Sequence, residues 1–238
     1  MNQSIQPEVV FRAESVTKTF GCVRALSGVS FSVRRGEILG LIGPNGSGKT
    51  TLFECLAGVL PADTGTLYQG ERPMTSRDRS SLFFYLPDGI SPWPAQSVRW
   101  VLDFTIGFFG GSGELREDVV RRLNLGPLLD SSMGALSKGQ RKRALLAAGL
   151  LTPQPVLFAD EPFDGLDLRQ TREVANALRS YALSGRTLFL SIHQITDAAR
   201  VCDRFVLLSE GLVRGEGTLS ELSAGVPRDL EEVFLALT

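Results

Sequence analysis

Cysteine, lysine and histidine are all scarce in this chain. Its three cysteines, Cys22, Cys55 and Cys202, lie far apart and form no C-x-x-C pair. That spacing indicates neither a zinc site nor a disulfide framework, and a reduced compartment fits it. Lysine supplies only Lys18, Lys49, Lys138 and Lys142 among 25 basic residues. The excess of arginine reads as a compositional habit of a GC-rich genome and carries no chemistry. A net charge of −1 and a pI of about 6.0 leave no whole-domain basic field, so no nucleic-acid partner is expected. Long apolar runs are missing as well. The best candidate, ALLAAGLL (144–151), stops at Thr152-Pro153, well short of the roughly 20 residues a bilayer requires. The first residues, MNQSIQPEVVF, have no basic region and no apolar core, so no signal peptide is expected. There is no internal repeat and no low-complexity segment.

What is present is enough for one α/β domain over residues 1–238. VVFRAESV (9–16), VSFSV (29–33), EILGLIG (37–43), TGTLY (64–68) and LFFYL (82–86) read as strands, the last as a buried one ending at Pro87. From 97 to about 151 three helices are expected in succession, each with Ser or Gly-Ser-Gly near its start. Alternation then resumes, with strands over 155–160, 187–192 and 204–209. Helices are expected over 168–183, 195–202 and 230–237. The coarse picture is an α/β core that carries a helical insert, at approximately 88–151.

GPNGSGKT (43–50) fits the phosphate-binding pattern G-x-x-x-x-G-K-[ST] at every fixed position, Gly43, Gly48, Lys49 and Thr50. Glycines let the backbone curl so that successive N–H groups point at phosphate oxygens. Lys49 can reach the β- and γ-phosphates, and the Thr50 hydroxyl can ligate Mg²⁺. An apolar strand precedes the loop and a helix follows, whose N-terminus favours an anion. The candidate ATP contacts are Gly43, Pro44, Asn45, Gly46, Ser47, Gly48, Lys49, Thr50 and Thr51. Further on, PVLFADEP (155–162) ends an apolar strand in two carboxylates. After a P-loop that position holds Mg²⁺ through Asp160, and Glu161 is placed to polarise a water.

LSKGQ (136–140) stands at a helix start just before that carboxylate strand. With it, the chain resembles the ATP-binding cassette (ABC) ATPases over essentially its full length and in the family's order of motifs. Lys138 replaces the glycine usual at the third signature position. The resemblance implies a P-loop core with a mostly parallel sheet, an N-terminal antiparallel β subdomain and an inserted α-helical subdomain. It implies that Leu136, Ser137, Lys138, Gly139 and Gln140 grip the γ-phosphate of ATP held by a second protomer. FDGLD (163–167) resembles the loop along the dimer seam, with Asp167 at its end. SIHQ (191–194) puts His193, the chain's single histidine, at the family's switch position beside the γ-phosphate. KTFG (18–21) places Phe20 to stack on adenine. Lys49, Glu161 and His193 are the catalytic candidates.

The family's metal-reaching glutamine is replaced by Asp88 in LPDGI. An ionised Asp only accepts hydrogen bonds, whereas Gln also donates, and Asp88 can still ligate Mg²⁺ directly or through water. Thr50, Asp160 and Asp88 are therefore the metal candidates. Trp93, between prolines in SPWPAQ (91–96), suits either a contact with a membrane subunit or a rigid turn with a partly buried ring. The basic run KGQRKR, with Arg141 and Arg143, reads as a solvated helix face. The resemblance implies the ATP-hydrolysing subunit of a transporter, and the likeness of the EEVFLALT ending to export-type subunits points to an exporter. The subunit would be cytoplasmic, dimeric and peripheral on a separate integral membrane permease, using ATP and Mg²⁺. A non-transport cassette ATPase is the alternative, but no coiled-coil arm and no second cassette is present. A GTPase or small-molecule kinase lacks its guanine motif here, and a regulator that binds nucleotide without hydrolysis rests on Asp88.

Overall fold

A computed structural model describes residues 8–224 and 229–237. The readings of residues 1–7 and of Thr238 lie outside them. The chain opens with a hairpin of β1 (Val9–Phe20) and β2 (Val23–Arg34), followed by β3 (Ile38–Ile42) and α1 (Lys49–Ala57). Next come β4 (Thr64–Gln69), β5 (Arg72–Pro73), α2 (Ser76–Leu82) and β6 (Phe83–Leu86). Three helices follow, α3 (Val98–Phe109), α4 (Gly113–Arg122) and α5 (Lys138–Leu150). The remainder alternates through β7 (Val156–Asp160), α6 (Leu168–Leu183), β8 (Thr187–Ile192), α7 (Ile195–Val201), β9 (Arg204–Ser209) and β10 (Leu212–Gly217). It closes with α8 (Leu219–Leu222) and α9 (Leu230–Leu237).

Two sheets result. The first is antiparallel, in the order β2-β1-β4-β5. The second runs β10-β9-β3-β8-β7-β6, all parallel except for β10 at one edge. Strands β3, β7, β8 and β9 are buried along their whole length, which is why they read as unbroken apolar runs. Their side chains alternate between two cores. Ile38, Ile42, Leu157, Ala159, Leu188, Leu190 and Ile192 face α5, α6 and α7. Leu39, Leu41, Val156, Phe158 and Phe189 face α1 and the small sheet. Phe158 stacks on Phe83 at 4.6 Å and on Phe53 at 5.4 Å, and Phe31 meets Phe189 at 5.2 Å. Fully burying one such ring contributes ~1.5–3 kcal/mol, so this cluster fastens the antiparallel sheet to the core.

The same alternation positions the chemistry. Asp160 lies on the face of Val156 and Phe158, and Ser191 on that of Phe189, so both point towards α1. They are direct partners in the parallel ladder.

Two expectations change. LFFYL is not a buried strand: Leu82 ends α2, and of β6 only Phe83 is buried, because β6 is a sheet edge. The run KGQRKR is not a solvated face. Arg143 is buried and donates to the carbonyls of Leu123 and Asn124, which close α4. Arg141 donates to the carbonyls of Met133 and Leu136.

Candidate nucleotide-binding site

The helices differ in how they begin. Ser97, Ser112, Ser137 and Asp167 each cap the first turn of α3, α4, α5 and α6 with a side-chain oxygen. Helix α1 has no such cap. Its N-cap is Gly48, at φ 105°, and the first intrahelical bond is Leu52 N–H to the Gly48 carbonyl at 2.8 Å. The amides of the first turn are therefore left to another acceptor, the arrangement that binds anions. Gly48 is required twice over: its φ is left-handed, and a Cβ there would lie 2.5 Å from the Ala25 carbonyl oxygen. The Ser47 hydroxyl is buried with no hydrogen-bond partner.

Around this helix end lies an open cleft of about 340 Å³, lined by Ala25, Asn45, Gly46, Lys49, Asp88 and Glu161 among others. Lys49 Nζ donates to the carbonyls of Gly43 (2.8 Å) and Pro44 (3.2 Å) and stands 3.7 Å from Glu161 Oε1. Thr50 Oγ1 donates to Asp160 Oδ2 at 2.7 Å. The Ser191 hydroxyl donates to Asp160 Oδ1 and accepts from Glu161 N–H at 3.0 Å. Glu161 has φ +50°, a conformation uncommon outside glycine, which turns its side chain to His193. Glu161 Oε2 lies 2.7 Å from His193 Nδ1 and accepts from His193 N–H at 3.2 Å. Lys49, Thr50, Asp88, Asp160, Glu161 and His193, far apart in sequence, thus meet in one place.

Phe20 does not join them. It stands half-exposed at the tip of the β1–β2 hairpin, with Lys18 Nζ 5.5 Å from its ring centre, and is not among the residues lining the cleft. Asp167 accepts from Gln170 N–H at 2.8 Å and starts α6. In the signature segment, Ser137 and Gln140 form a reciprocal capping box at the start of α5. Lys138 reaches Asp164 at 2.5 Å, and this hydrogen bond holds the Asp164 carboxyl below its ordinary pKa. Gly139 is needed for close approach: a Cβ there would lie 2.7 Å from the Gly165 carbonyl oxygen. The signature therefore packs directly on FDGLD within the same chain.

The donors suit Mg²⁺ of the kind that nucleotides bring. Among the described residues no group of three or more His, Cys, Asp or Glu is placed to hold a metal alone. Thr50 and Asp160 offer two converging oxygens, and Mg²⁺ typically takes one or two carboxylates with the rest from phosphates and water.

Residues 26–164 match the family model described as ABC transporter. The chain belongs to this family. It is an ABC ATP-binding domain and an ATPase. Among curated relatives, it is 34% identical to the Nod factor export ATP-binding protein I of Burkholderia lata over 209 residues, 85% of this chain and 69% of that protein. It is 31% identical over 243 residues to the probable multidrug ABC transporter ATP-binding protein YbhF of Escherichia coli, covering 97% of this chain and 42% of that one. Among solved structures, an ATP-binding subunit of an ABC transporter superposes with a TM-score of 0.85 at 25% identity, covering 96% of this chain and 99% of that one. An ATP-binding cassette in its ADP conformation gives 0.78 at 25% identity over 95% and 98%. The fold expected from sequence is the one found: α/β, with an antiparallel sheet at the N-terminal end, a mostly parallel second sheet, and helices between β6 and β7.

Sequence reading missed Ser191, Lys142 and a stripe on α3. Ser191 is within reach, because it lies near the end of β8, two residues before His193. Lys142 is not, because its partners come from elsewhere. It donates to Asp88 Oδ1 at 2.7 Å and to the Glu161 carbonyl. Trp100, Phe104 and Phe108 recur every four residues along α3 and are exposed, as is Trp93. Trp100 stacks on Phe104 at 5.0 Å, Phe104 on Phe108 at 6.1 Å, and Trp93 sits 6.0 Å from Phe104.

Proposed function

We propose that this chain, as one cassette over 1–238, is the cytoplasmic ATPase subunit that drives an export-type transporter through a separate integral membrane permease. The observation that carries the reading is the joining of the uncapped α1 terminus to Glu161, His193 and Lys49 across one cleft. The names of its relatives, Nod factor export and multidrug transport, support the export direction. Phosphates lie against the loop from Gly43 to Thr51, and Phe20, half-exposed at the hairpin tip, is the ring offered to adenine. Thr50 and Asp160, with Asp88 at the edge, would hold Mg²⁺, which would supply positive charge against the phosphates. Glu161 takes the proton of the attacking water as its oxygen bonds to the γ-phosphorus and the bond to the ADP oxygen breaks. His193, fixed by Glu161, and Lys49 stabilise the charge on the transferred group. Two chains pair head to tail, so that Leu136 to Gln140 of one closes the site of the other, with Asp167 near the seam.

No helix among the described residues is long and apolar enough to cross a membrane. The exposed stripe of Trp93, Trp100, Phe104 and Phe108 is the face we assign to the permease, since exposed apolar patches of this kind mark interaction surfaces. The test is co-expression with the polytopic membrane protein encoded beside this gene. Co-purification, with ATP hydrolysis dependent on both subunits, is expected. Hydrolysis with no stable association with any membrane protein would favour a non-transport ATPase.

A further inference from the structure

Charge in the cleft is unbalanced for an anionic substrate. Its lining carries three carboxylates, Asp88, Asp160 and Glu161, against one ammonium, Lys49. Asp160 is engaged by Thr50 and Ser191, and Glu161 by His193 and Lys49. Asp88 has its ion pair behind the cleft. There, a second cavity of about 60 Å³ lies between residues 86–90 and α5, lined by Leu86, Ile90, Leu145 and Leu146, with Lys138 and Lys142 at its polar side. Asp88 borders both spaces. Lys142, only 11% exposed, places Nζ 2.7 Å from Asp88 Oδ1 and donates also to the carbonyl of Glu161. Two of the four lysines of the chain thus line the wall beside Asp88.

We infer that Lys142 is a positioning residue of this ATPase, one that neutralises Asp88 and ties both the Asp88 loop and the Glu161 turn to the signature helix α5. The inference rests on the cleft being the ATP site. Asp88 is a carboxylate facing a polyanion. Unpaired, it repels the phosphates; paired with an ammonium at hydrogen-bond distance, the two together add little net field. A neutral side chain at 142 cannot do this, however well it packs. The tie also has a direction. One end of α5 carries Ser137 to Gln140, and one turn further on the same helix grips the loop and the carbonyl that frame the nucleotide of its own chain.

The test is a double-mutant cycle of Lys142→Met and Asp88→Asn. Equilibrium binding of ATP is read by calorimetry, in EDTA and again in Mg²⁺, on the full chain. Lys142→Met should weaken binding of Mg²⁺-free ATP about tenfold, as an unscreened like charge near the cleft predicts. Adding Asp88→Asn should bring it back to within about threefold of wild type, since the repelling charge is gone, and Lys142→Arg should bind as wild type does. Equal weakness in the single and double variants would make Lys142 a packing residue and overturn the inference, as would wild-type binding by Lys142→Met. If Lys142→Met does not fold, Lys142→Gln repeats the cycle. Failure of both to fold while Lys142→Arg folds makes the residue one of stability, again against the inference. No ATP binding by the wild type would overturn the cleft reading and this inference with it. Binding by the wild type without rescue overturns this inference alone.

Discussion

Replacing Glu161 with Gln separates catalysis from binding, and the structure sets the sign of both effects. The isostere keeps the shape of the turn and one oxygen to accept from His193 N–H, a contact now 3.2 Å long. It cannot take a proton from water. General-base loss costs about 10²- to 10⁴-fold, or roughly 3–5 kcal/mol at ~1.4 kcal/mol per tenfold. The effect on binding runs the other way. Lys49 Nζ lies 3.7 Å from Glu161 Oε1, a Coulomb attraction of about 4.5 kcal/mol at an effective dielectric near 20. Glu161 is partly solvated, 17% exposed, so screening leaves roughly 1 kcal/mol. Glu161→Gln removes that competitor for Lys49 and one negative charge from the cleft. ATP should therefore bind as tightly as in wild type or up to about fivefold more tightly, and an ATP-bound dimer should accumulate. The assays are steady-state phosphate release and calorimetric ATP binding, with sizing columns run in ATP. Wild-type turnover, or ATP affinity reduced tenfold, would refute the reasoning.

Further outcomes test other parts of the molecule. Ser137→Arg should abolish hydrolysis while each chain still binds ATP, and mixing it with Lys49→Ala chains should restore at most one working site per dimer; normal turnover by Ser137→Arg under dimerising conditions would break the shared-site model. Asp88→Asn should raise the Mg²⁺ concentration needed for half-maximal hydrolysis, and Asp88→Gln should keep or improve hydrolysis, both read by Mg²⁺ titration; an unchanged curve for Asp88→Asn puts Asp88 outside the metal's surroundings. Trp93→Ala and Phe104→Ala should weaken pull-down of the permease and spare ATP binding by the isolated chain, whereas undiminished assembly leaves the aromatic stripe as packing. Burial pushes the Cys55 thiol up to about 11 and raises that of Cys202, while Cys22 is exposed. At pH 8 only about 0.1% of Cys55 would be thiolate, so a thiol reagent should modify one cysteine per native chain and three in denaturant; fast labelling of two or more would contradict the packing described.

The residues legible in the sequence share one property: each belongs to a short motif whose proposed partner is the nucleotide rather than a distant part of the chain. Gly48, Lys49 and Thr50 follow from the P-loop pattern and Asp160 and Glu161 from two carboxylates at the end of an apolar strand, whereas His193 follows only from the family resemblance. Strongly patterned elements were legible for a related reason. Helix α6 and strands β8 and β9 carry their apolar period within their own span, and they fall where expected. Helix α2 was missed because it buries only Leu82 and is held by a capping box between Thr75 and Asp78, so it has no apolar face to read. Strand β10 was missed because half-buried, charged residues at a sheet edge give no clean alternation.

The run KGQRKR shows where the reading stops. Arg141, Lys142 and Arg143 are consecutive in sequence and were read as a charged face turned to water. Each is instead claimed by a different acceptor: Arg141 by the nearby carbonyls just before α5, Lys142 by the Asp88 loop with the Glu161 turn, and Arg143 by the end of α4. Long cationic side chains carry no sign of where their acceptors lie, because those acceptors are mostly backbone oxygens, which every residue has. Asp88 departs visibly from the family's pattern, as Lys138 does in the signature, and its partner, a lysine 54 residues away on the signature helix, required the fold. A departure from the family's usual residue is thus best judged with its compensating charge, and the Lys142 cycle asks whether the two residues act as one.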